Sequence, residues 1–356
     1  MAGEYRIACF ISSHGFGHAA RTCAILNETA RIEPGLFARL YTRVPLWFFE
    51  ESLNIPFEWV ETRIDGGLAQ TSVFQHDVGA TLRELEALFP IDDKLLDAYS
   101  EKVRDCRVVL SDVSALGLAV AERSGLKSVL FENFCWDWVY EAFLKEEPRF
   151  EEPIRELRET YGSSSLHIQS VPVCRRVDGL PLVAPVSRES RRSRLEVREA
   201  LGIGAESKLV LISRGGNPDG FSFLEKLKKH RDTIFLFAGG VPQMRREDNL
   251  LFLPFQTEFF HPDLVRSADL IVGKAGYSMI AEVWASGTPF SYILREGFRE
   301  SSVLDLFLKE EMAAYRIEDS EFVDGSWICQ LDALLELTRL EPRTNGATMA
   351  AELILS

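Results

Sequence analysis

Short, continuously apolar runs alternate with amphipathic stretches along almost the whole chain, and no other feature limits the fold as much. A parallel strand buried on both faces reads as an unbroken apolar run, whereas a strand with one wet face alternates. Tyr5–Ser12, Phe37–Thr42, Phe57–Glu61, Arg107–Ser111 and Ser128–Glu132 are read as strands, and Leu166–Gln169 is a candidate to close the sheet. Between them Gly17–Ala30, Thr81–Phe89, Ile91–Asp105 and Ser114–Ser124 read as helices. Strands separated by helices need crossover connections, which implies parallel pairing. The pattern stops at Val171–Pro185, which holds three prolines. The arginine-rich Ser187–Arg198 follows and reads as a solvated helix start rather than a binding patch. A second alternation then runs through Lys208–Ser213, a helix at Ser222–His230, Thr233–Ala238, Leu250–Leu253, Leu270–Val272, a helix at Tyr277–Ser286, and Phe290–Ile293. The expected architecture is α/β, with two doubly wound Rossmann-like domains at 1–185 and 186–356. The last helix is left the option of packing back on the first domain. Ligands of open parallel sheets lie beyond the carboxyl ends of the strands. The expected site is therefore a cleft between two facing sheets.

Composition narrows the function. The 356 residues are 46% apolar, enough for sizeable cores, and the net charge is −14. A surface that acidic disfavours nucleic acid and anionic lipid. No run approaches the ~18 apolar residues a membrane span needs, and the first residues lack the basic and apolar regions of a signal peptide. A cytoplasmic protein without an integral membrane segment is expected. None of the six cysteines forms a Cys-x-x-Cys pair, so reduced thiols are expected rather than a zinc ribbon or disulfide framework.

Three loops carry chemistry. The first strand runs into Ser12-Ser13-His14-Gly15-Phe16-Gly17-His18, where two glycines allow a sharp turn and close backbone approach. His14 and His18 are four apart but have no third ligand nearby, so no metal is expected. His18 is either a turn residue bonded to backbone or a general base at the carboxyl edge of the sheet. Asp112 ends another strand and either caps the next helix or orients His18 through Nδ1–H. In the second half, Arg214-Gly215-Gly216 opens a glycine-rich turn suited to an anion or to plain turn chemistry. The segment Gly273-Lys274-Ala275-Gly276-Tyr277-Ser278 passes from strand to helix start. A helical projection puts Met279, Ile280, Val283 and Trp284 on one face and Ser278 and Glu282 on the other. A diphosphate at that helix start, with Lys274 beside it, would bring a ribose about one turn on, roughly 5 Å, to Glu282.

These residues resemble glycosyltransferases of the GT-B class. Residues 249–301 are similar to the donor half of the lipid-II-forming N-acetylglucosaminyltransferase and of plant UDP-glucosyltransferases, which carry a Gly-x-x-x-x-x-Glu element of this form. A closer likeness, over nearly the whole chain, is to the N-terminal glycosyltransferase-like region of plant arabinokinases and their stand-alone bacterial relatives. It rests on His14–Arg21, Asp65-Gly66-Gly67-Leu68-Ala69-Gln70, Ser128–Trp138, Gly215-Gly216-Asn217-Pro218 and Arg295-Glu296-Gly297-Phe298-Arg299-Glu300. The resemblance implies a nucleotide-diphosphate sugar donor, UDP-linked, with no further cofactor and no metal. It implies His18 as base and Asp112 as its acid partner. Donor contacts are expected from Arg214, Gly215, Gly216, Lys274, Gly276, Tyr277, Ser278, Glu282, Arg295, Arg299 and Glu300. Acceptor contacts are expected from His14, Gly15, Phe16, Gly17, Asp65, Gln70, Asn133 and Trp136. Where such enzymes often carry Asp-Gln or Gln-Gln at the end of the donor motif, this chain has Arg299-Glu300-Ser301. The expected reaction is an inverting transfer to a hydroxyl acceptor; the alternatives are a nucleotide-sugar 2-epimerase or a binding module without turnover.

Overall fold

The unbroken apolar runs become the central strands of two sheets. The computed structural model of the chain describes residues 5–69, 76–204, 206–213, 221–295 and 297–356. The first sheet contains β1 (Tyr5–Ile11), β2 (Leu36–Thr42), β3 (Phe57–Glu61), β4 (Val108–Asp112), β5 (Lys127–Glu132), β6 (Leu166–Ser170) and β7 (Leu182–Val183). Its order is β3-β2-β1-β4-β5-β6-β7, all parallel. The second contains β8 (Lys208–Ser213), β9 (Thr233–Ala238), β10 (Arg245–Glu247), β11 (Leu250–Leu253), β12 (Leu270–Lys274), β13 (Phe290–Ile293) and β14 (Ala314–Arg316). Its order is β10-β11-β9-β8-β12-β13-β14, parallel except for the β10 edge. In β1 and β4 the residues from Ile7 to Ile11 and from Val108 to Asp112 are all buried, as strands covered by helices on both faces must be.

The chain divides into two compact units, Met1–Arg188 with Asn345–Ser356, and Glu189–Thr344. The terminal helix Ala347–Leu355 packs in the first unit against the helix Gly17–Ile32. Ala347, Ala350 and Ile354 join the same apolar core as Ile25 and Leu26. Thr348 donates to Glu28, and Lys127 Nζ donates to the Ile354 carbonyl at 3.2 Å.

Several elements differ from the sequence reading. The helix expected at Ser222–His230 is one turn, Leu224–Leu227. The short edge strands β7, β10 and β14 were not expected. The arginine-rich run is not a solvated face. Arg188 and Arg198 are 7% and 5% exposed. Arg188 lies over the Phe48 ring and donates to Ser52, while Arg198 and Arg194 pair with Asp269. A guanidinium can be buried where a carboxylate or an aromatic face replaces water. The helix itself starts later, at Arg194, behind a Ser193–Glu196 capping box.

Tight packing sits where β4 hands over to the helix Ala115–Ser124. A Cβ on Gly117 would strike Ser111 Oγ and lie 2.7 Å from Phe10 Cβ. Gly117→Ala is expected to cost about 1–3 kcal/mol by overpacking, read as a fall of several degrees in Tm.

Candidate functional site

In the first sheet the connections leave β1 and β4 in opposite directions, so the crevice at their carboxyl ends is not covered by a crossover. Ile11 pairs in register with Asp112 at that edge. Gly17–Ile32 begins there, and its first turns place His18, Arg21 and Thr22 over the same point. His18 Nδ1 lies 2.6 Å from Asp112 Oδ1, and Arg21 Nε donates to Oδ2 at 2.6 Å. Arg21 Nη2 also donates to Oδ1, and Thr22 donates to Oδ2 at 3.1 Å. Arg21 Nη2 and His18 Nδ1 are 3.0 Å apart because both face one oxygen. A carboxylate oxygen only accepts, so this network assigns the proton of the neutral imidazole to Nδ1 and leaves Nε2 as the basic nitrogen. Asp112 is 1% exposed. Burial pushes its carboxyl upward, but the Arg21 guanidinium and His18 outweigh that and hold it below the usual carboxylate range.

Arg21 is itself anchored. It donates to Asn133 Oδ1 and lies over the Phe131 ring, while Asn133 Nδ2 donates to the Ser170 and Pro172 carbonyls. Both ends of the Asn133 amide are thus engaged within the protein, in the support of Arg21 rather than in an open position for an acceptor. Asp112 does not cap the next helix; Ser114 does, accepting from Gly117 N at 3.2 Å. Between them Val113 has φ +58°, a left-handed conformation rare for a β-branched residue and costing about 1–3 kcal/mol. Its carbonyl accepts from Tyr161 Oη at 3.0 Å.

Aromatic rings surround this edge. His14 meets Trp136 edge-on, Phe134 lies between His18 and Trp136, and Trp136 stacks on Tyr140. Asp65 lies close enough for the hydroxyl of Ser12, the His18 ring and Trp136 to pull its carboxyl down, yet burial dominates and raises it. Its Oδ2 is shielded from solvent and has no hydrogen-bond partner among the described residues. Gly15 turns with φ +86°, and Phe16 is partly exposed, stacked on Phe48 just before the helix begins at Gly17. Gln70 lies outside the described residues.

The second sheet has the same kind of crevice between β8 and β12. Ser213 pairs with Gly273 there. Arg214, Gly215 and Gly216, with Asn217 and Pro218, lie outside the described residues, as does Glu296. On the β12 side the chain leaves through Lys274 and turns at Gly276, the extended N-cap of the helix Tyr277–Ser286. Tyr277 and Ser278 form its half-buried first turn. Lys274 pairs in register with Ile293, and Ala275 N donates to the Ile293 carbonyl at 2.8 Å, which brings Lys274 and Arg295 to one edge. Neither cation forms an ion pair among the described residues. Arg295 Nε is shielded and without a hydrogen-bond partner, and burial lowers the affinity of Arg295 for its proton. Arg299 is exposed, and Glu300 is half-buried at the N-cap of the helix Ser301–Glu311.

Glu282 departs from the helical projection. It does not stand on an open polar face but is 3% exposed, with Oε2 2.6 Å from His261 Nδ1. His261 opens the helix His261–Ser267, which packs against Tyr277–Ser286 and brings that partner to Glu282. Trp284, expected on the apolar face, is half-buried and donates to the Thr344 carbonyl at 3.0 Å. Sequence reading missed Arg21, His261 and Val113 as site residues. Arg21 carried a signal, since it follows His18 by three on a helix. Metal-ligand side chains converge at Glu132, Cys135 and His167, with donor atoms within 4.8 Å of one another. Glu132 Oε1 there already meets Gln169 Nε2 at 2.6 Å and His167 Nε2 at 3.0 Å. Among the described residues no helix is long and apolar enough to cross a membrane.

The topology and the two crevices define the GT-B fold, and comparison with solved structures agrees. The chain is similar to MurG of Acinetobacter baumannii, with TM-score 0.58 and 15% identity over 99% of each chain. It is similar to UGT89C1 of Arabidopsis thaliana, solved with quercetin, with TM-score 0.63 and 12% identity over 99% of this chain and 94% of that one. No protein-family profile matches the sequence. Among curated proteins it is 25% identical over 358 residues to the L-arabinokinase of Arabidopsis thaliana, covering 98% of this chain and 34% of that enzyme. The chain thus spans about a third of the length of that curated relative.

The depressed Asp112 carboxyl makes a pH prediction. Its contribution to stability is present above the unfolded value of about 3.9 and is lost as pH falls through the lower folded value. Asp112→Asn, which leaves Arg21 buried without its charge partner, is expected to lose about 3–5 kcal/mol at neutral pH. The gap to the wild type should narrow below about pH 4 in denaturant titrations.

Proposed function

We propose that the protein transfers a sugar from a nucleotide diphosphate to a hydroxyl acceptor. The single observation that carries this reading is the buried His18–Asp112–Arg21 network at the carboxyl edge between β1 and β4. His18 Nε2 takes the proton of the acceptor hydroxyl, and the Asp112 carboxylate stabilises the imidazolium that forms. Arg21 keeps that carboxylate ionised and fixed. The acceptor oxygen attacks the sugar C1 opposite the departing diphosphate, so the configuration at C1 inverts. The His14 ring and the Asp65 carboxylate line the acceptor side, backed by the buried Trp136 ring; an aromatic ring face suits the C–H faces of a sugar, and Asp65 accepts a hydrogen bond from a sugar hydroxyl.

The donor falls to the second unit. The amides of the first turn at Gly276, Tyr277 and Ser278 point out of the helix start, and Lys274 and Arg295 share its edge. Two cations without ion pairs among the described residues, beside a helix N-terminus, suit a diphosphate whose charge grows as C1 leaves. A fixed donor aimed at such a leaving oxygen contributes about 3–4 kcal/mol to the barrier. Glu282 accepts from the ribose hydroxyls while His261 holds one of its oxygens. The altered Arg299-Glu300-Ser301 stretch supports a sugar recognised differently from that of enzymes with Asp-Gln or Gln-Gln there. UDP is the nucleotide we assign.

The test follows NDP release from a panel of NDP-sugars, with and without hydroxylated acceptors. His18→Ala is expected to lower turnover by roughly 10²–10⁴ with donor affinity unchanged. Lys274→Ala and Arg295→Ala are expected to weaken donor binding about tenfold each by calorimetry. Unchanged turnover in the first variant together with unchanged affinity in the other two would falsify the reading.

A further inference from the structure

The turn after Asp112 is held in a conformation its residue resists. Val113 is β-branched and 0% exposed, yet its φ is +58°. The left-handed region crowds Cβ against the backbone, and a branched Cβ makes this worse. Such a residue persists only where its surroundings over-determine it. Here they do. On one side Ser12 N donates to the Asp112 carbonyl at 3.3 Å, and Ile11 pairs with Asp112, so the end of β4 is tied to β1. On the other side Ser114 caps the helix Ala115–Ser124, whose Gly117 is pressed on Ser111 and Phe10. A strand end and a helix start are both fixed, with one residue between them to reverse the chain. The carbonyl of that residue accepts from Tyr161 Oη, supplied by the helix Glu151–Gly162.

We infer that Val113, clamped by Tyr161, is a positioning residue: its left-handed turn keeps Asp112 as the last residue of β4, with the carboxylate aimed at His18 Nδ1. The inference rests on the reading of His18 as the base and deepens it. Burial holds the Tyr161 phenol protonated far above neutral pH, so the donor of the clamp is constant across the working range. Val113 and Tyr161 touch neither acceptor nor donor in this arrangement; they act through Asp112. The charged groups that bear on His18 are Asp112, Arg21 and Asp65. Of these, Asp112 is the one mounted on the turn.

The readout is the tautomer of the His18 ring, followed by long-range proton–nitrogen correlation NMR on the full chain in mildly alkaline buffer, with circular dichroism to confirm the fold. The wild-type ring is expected to carry its proton on Nδ1. Tyr161→Phe removes one hydroxyl and nothing else, and is expected to raise the Nε2–H share several-fold. Val113→Pro, whose ring fixes φ near −65° and so forbids the left-handed turn while leaving Tyr161 in place, is expected to shift it the same way. In an Asp112→Asn background Tyr161→Phe should leave the ring unchanged, because the path of its action is gone. With an active donor, both single variants should lower kcat about tenfold at constant KM. An unchanged ring in both folded variants overturns the inference, as does a Tyr161→Phe shift that persists in the Asp112→Asn background. Failure of the transferase reading looks different: no donor releases NDP with the wild type, while the ring measurements still decide the role of Val113.

Discussion

Two oxygens of Asp112 hold the first unit's chemistry together. Arg21 meets them in a two-point contact, and His18 and Thr22 each share one. Taking a carboxylate and a guanidinium out of water is expensive, and their attraction offsets this only where geometry is close and every remaining donor has an acceptor. That condition explains the second layer. Asn133 receives Arg21 and is itself fixed by two carbonyls, and the Phe131 ring lies beneath the guanidinium. The layer also spans β4, β5 and the segment after β6, so the order of the first sheet and the posture of one imidazole depend on each other.

Much of this was legible in the chain. Central strands are covered on both faces, so their apolar runs stand out against any background. Strands β7, β10 and β14 did not stand out, because two or three residues at an edge have no periodicity to read. The chemical types at the site, a histidine after a glycine turn and an aspartate ending a strand, were visible. Their meeting was not, since His18 and Asp112 are 94 apart in sequence. Arg21 lies in full view three residues after His18, but its role shows only once the fold sets Asp112 and Asn133 beside it. Glu282 shows the limit of a helical projection: it separates apolar from polar faces, but it does not see that His261 arrives on the polar one. The buried Arg188 and Arg198 show the same limit for charge runs, whose burial is decided by partners elsewhere in the chain.

The second unit contrasts with the chain's overall charge. The protein carries −14, yet Lys274 and Arg295 stand at one sheet edge without an ion pair among the described residues. A surplus of acid makes it easy to neutralise a lysine or arginine, so two cations left over beside a helix start are a local exception held by the backbone path. In the first unit the same sheet edge carries a satisfied charge network. The two edges therefore differ in character: one pairs its charges internally, and the other carries two cations without an ion pair among the described residues.

The helix Ala347–Leu355 makes the first unit discontinuous in the chain. It lies against Gly17–Ile32, and its Thr348 reaches Glu28 across 320 positions. Residues 189–344 are made between the two parts of the first unit, so the apolar side of Gly17–Ile32 stays uncovered by Ala347–Leu355 while that stretch is synthesised. The later-made unit, Glu189–Thr344, is contiguous. The first unit is thus closed by a segment that lies beyond the whole of the second in the chain.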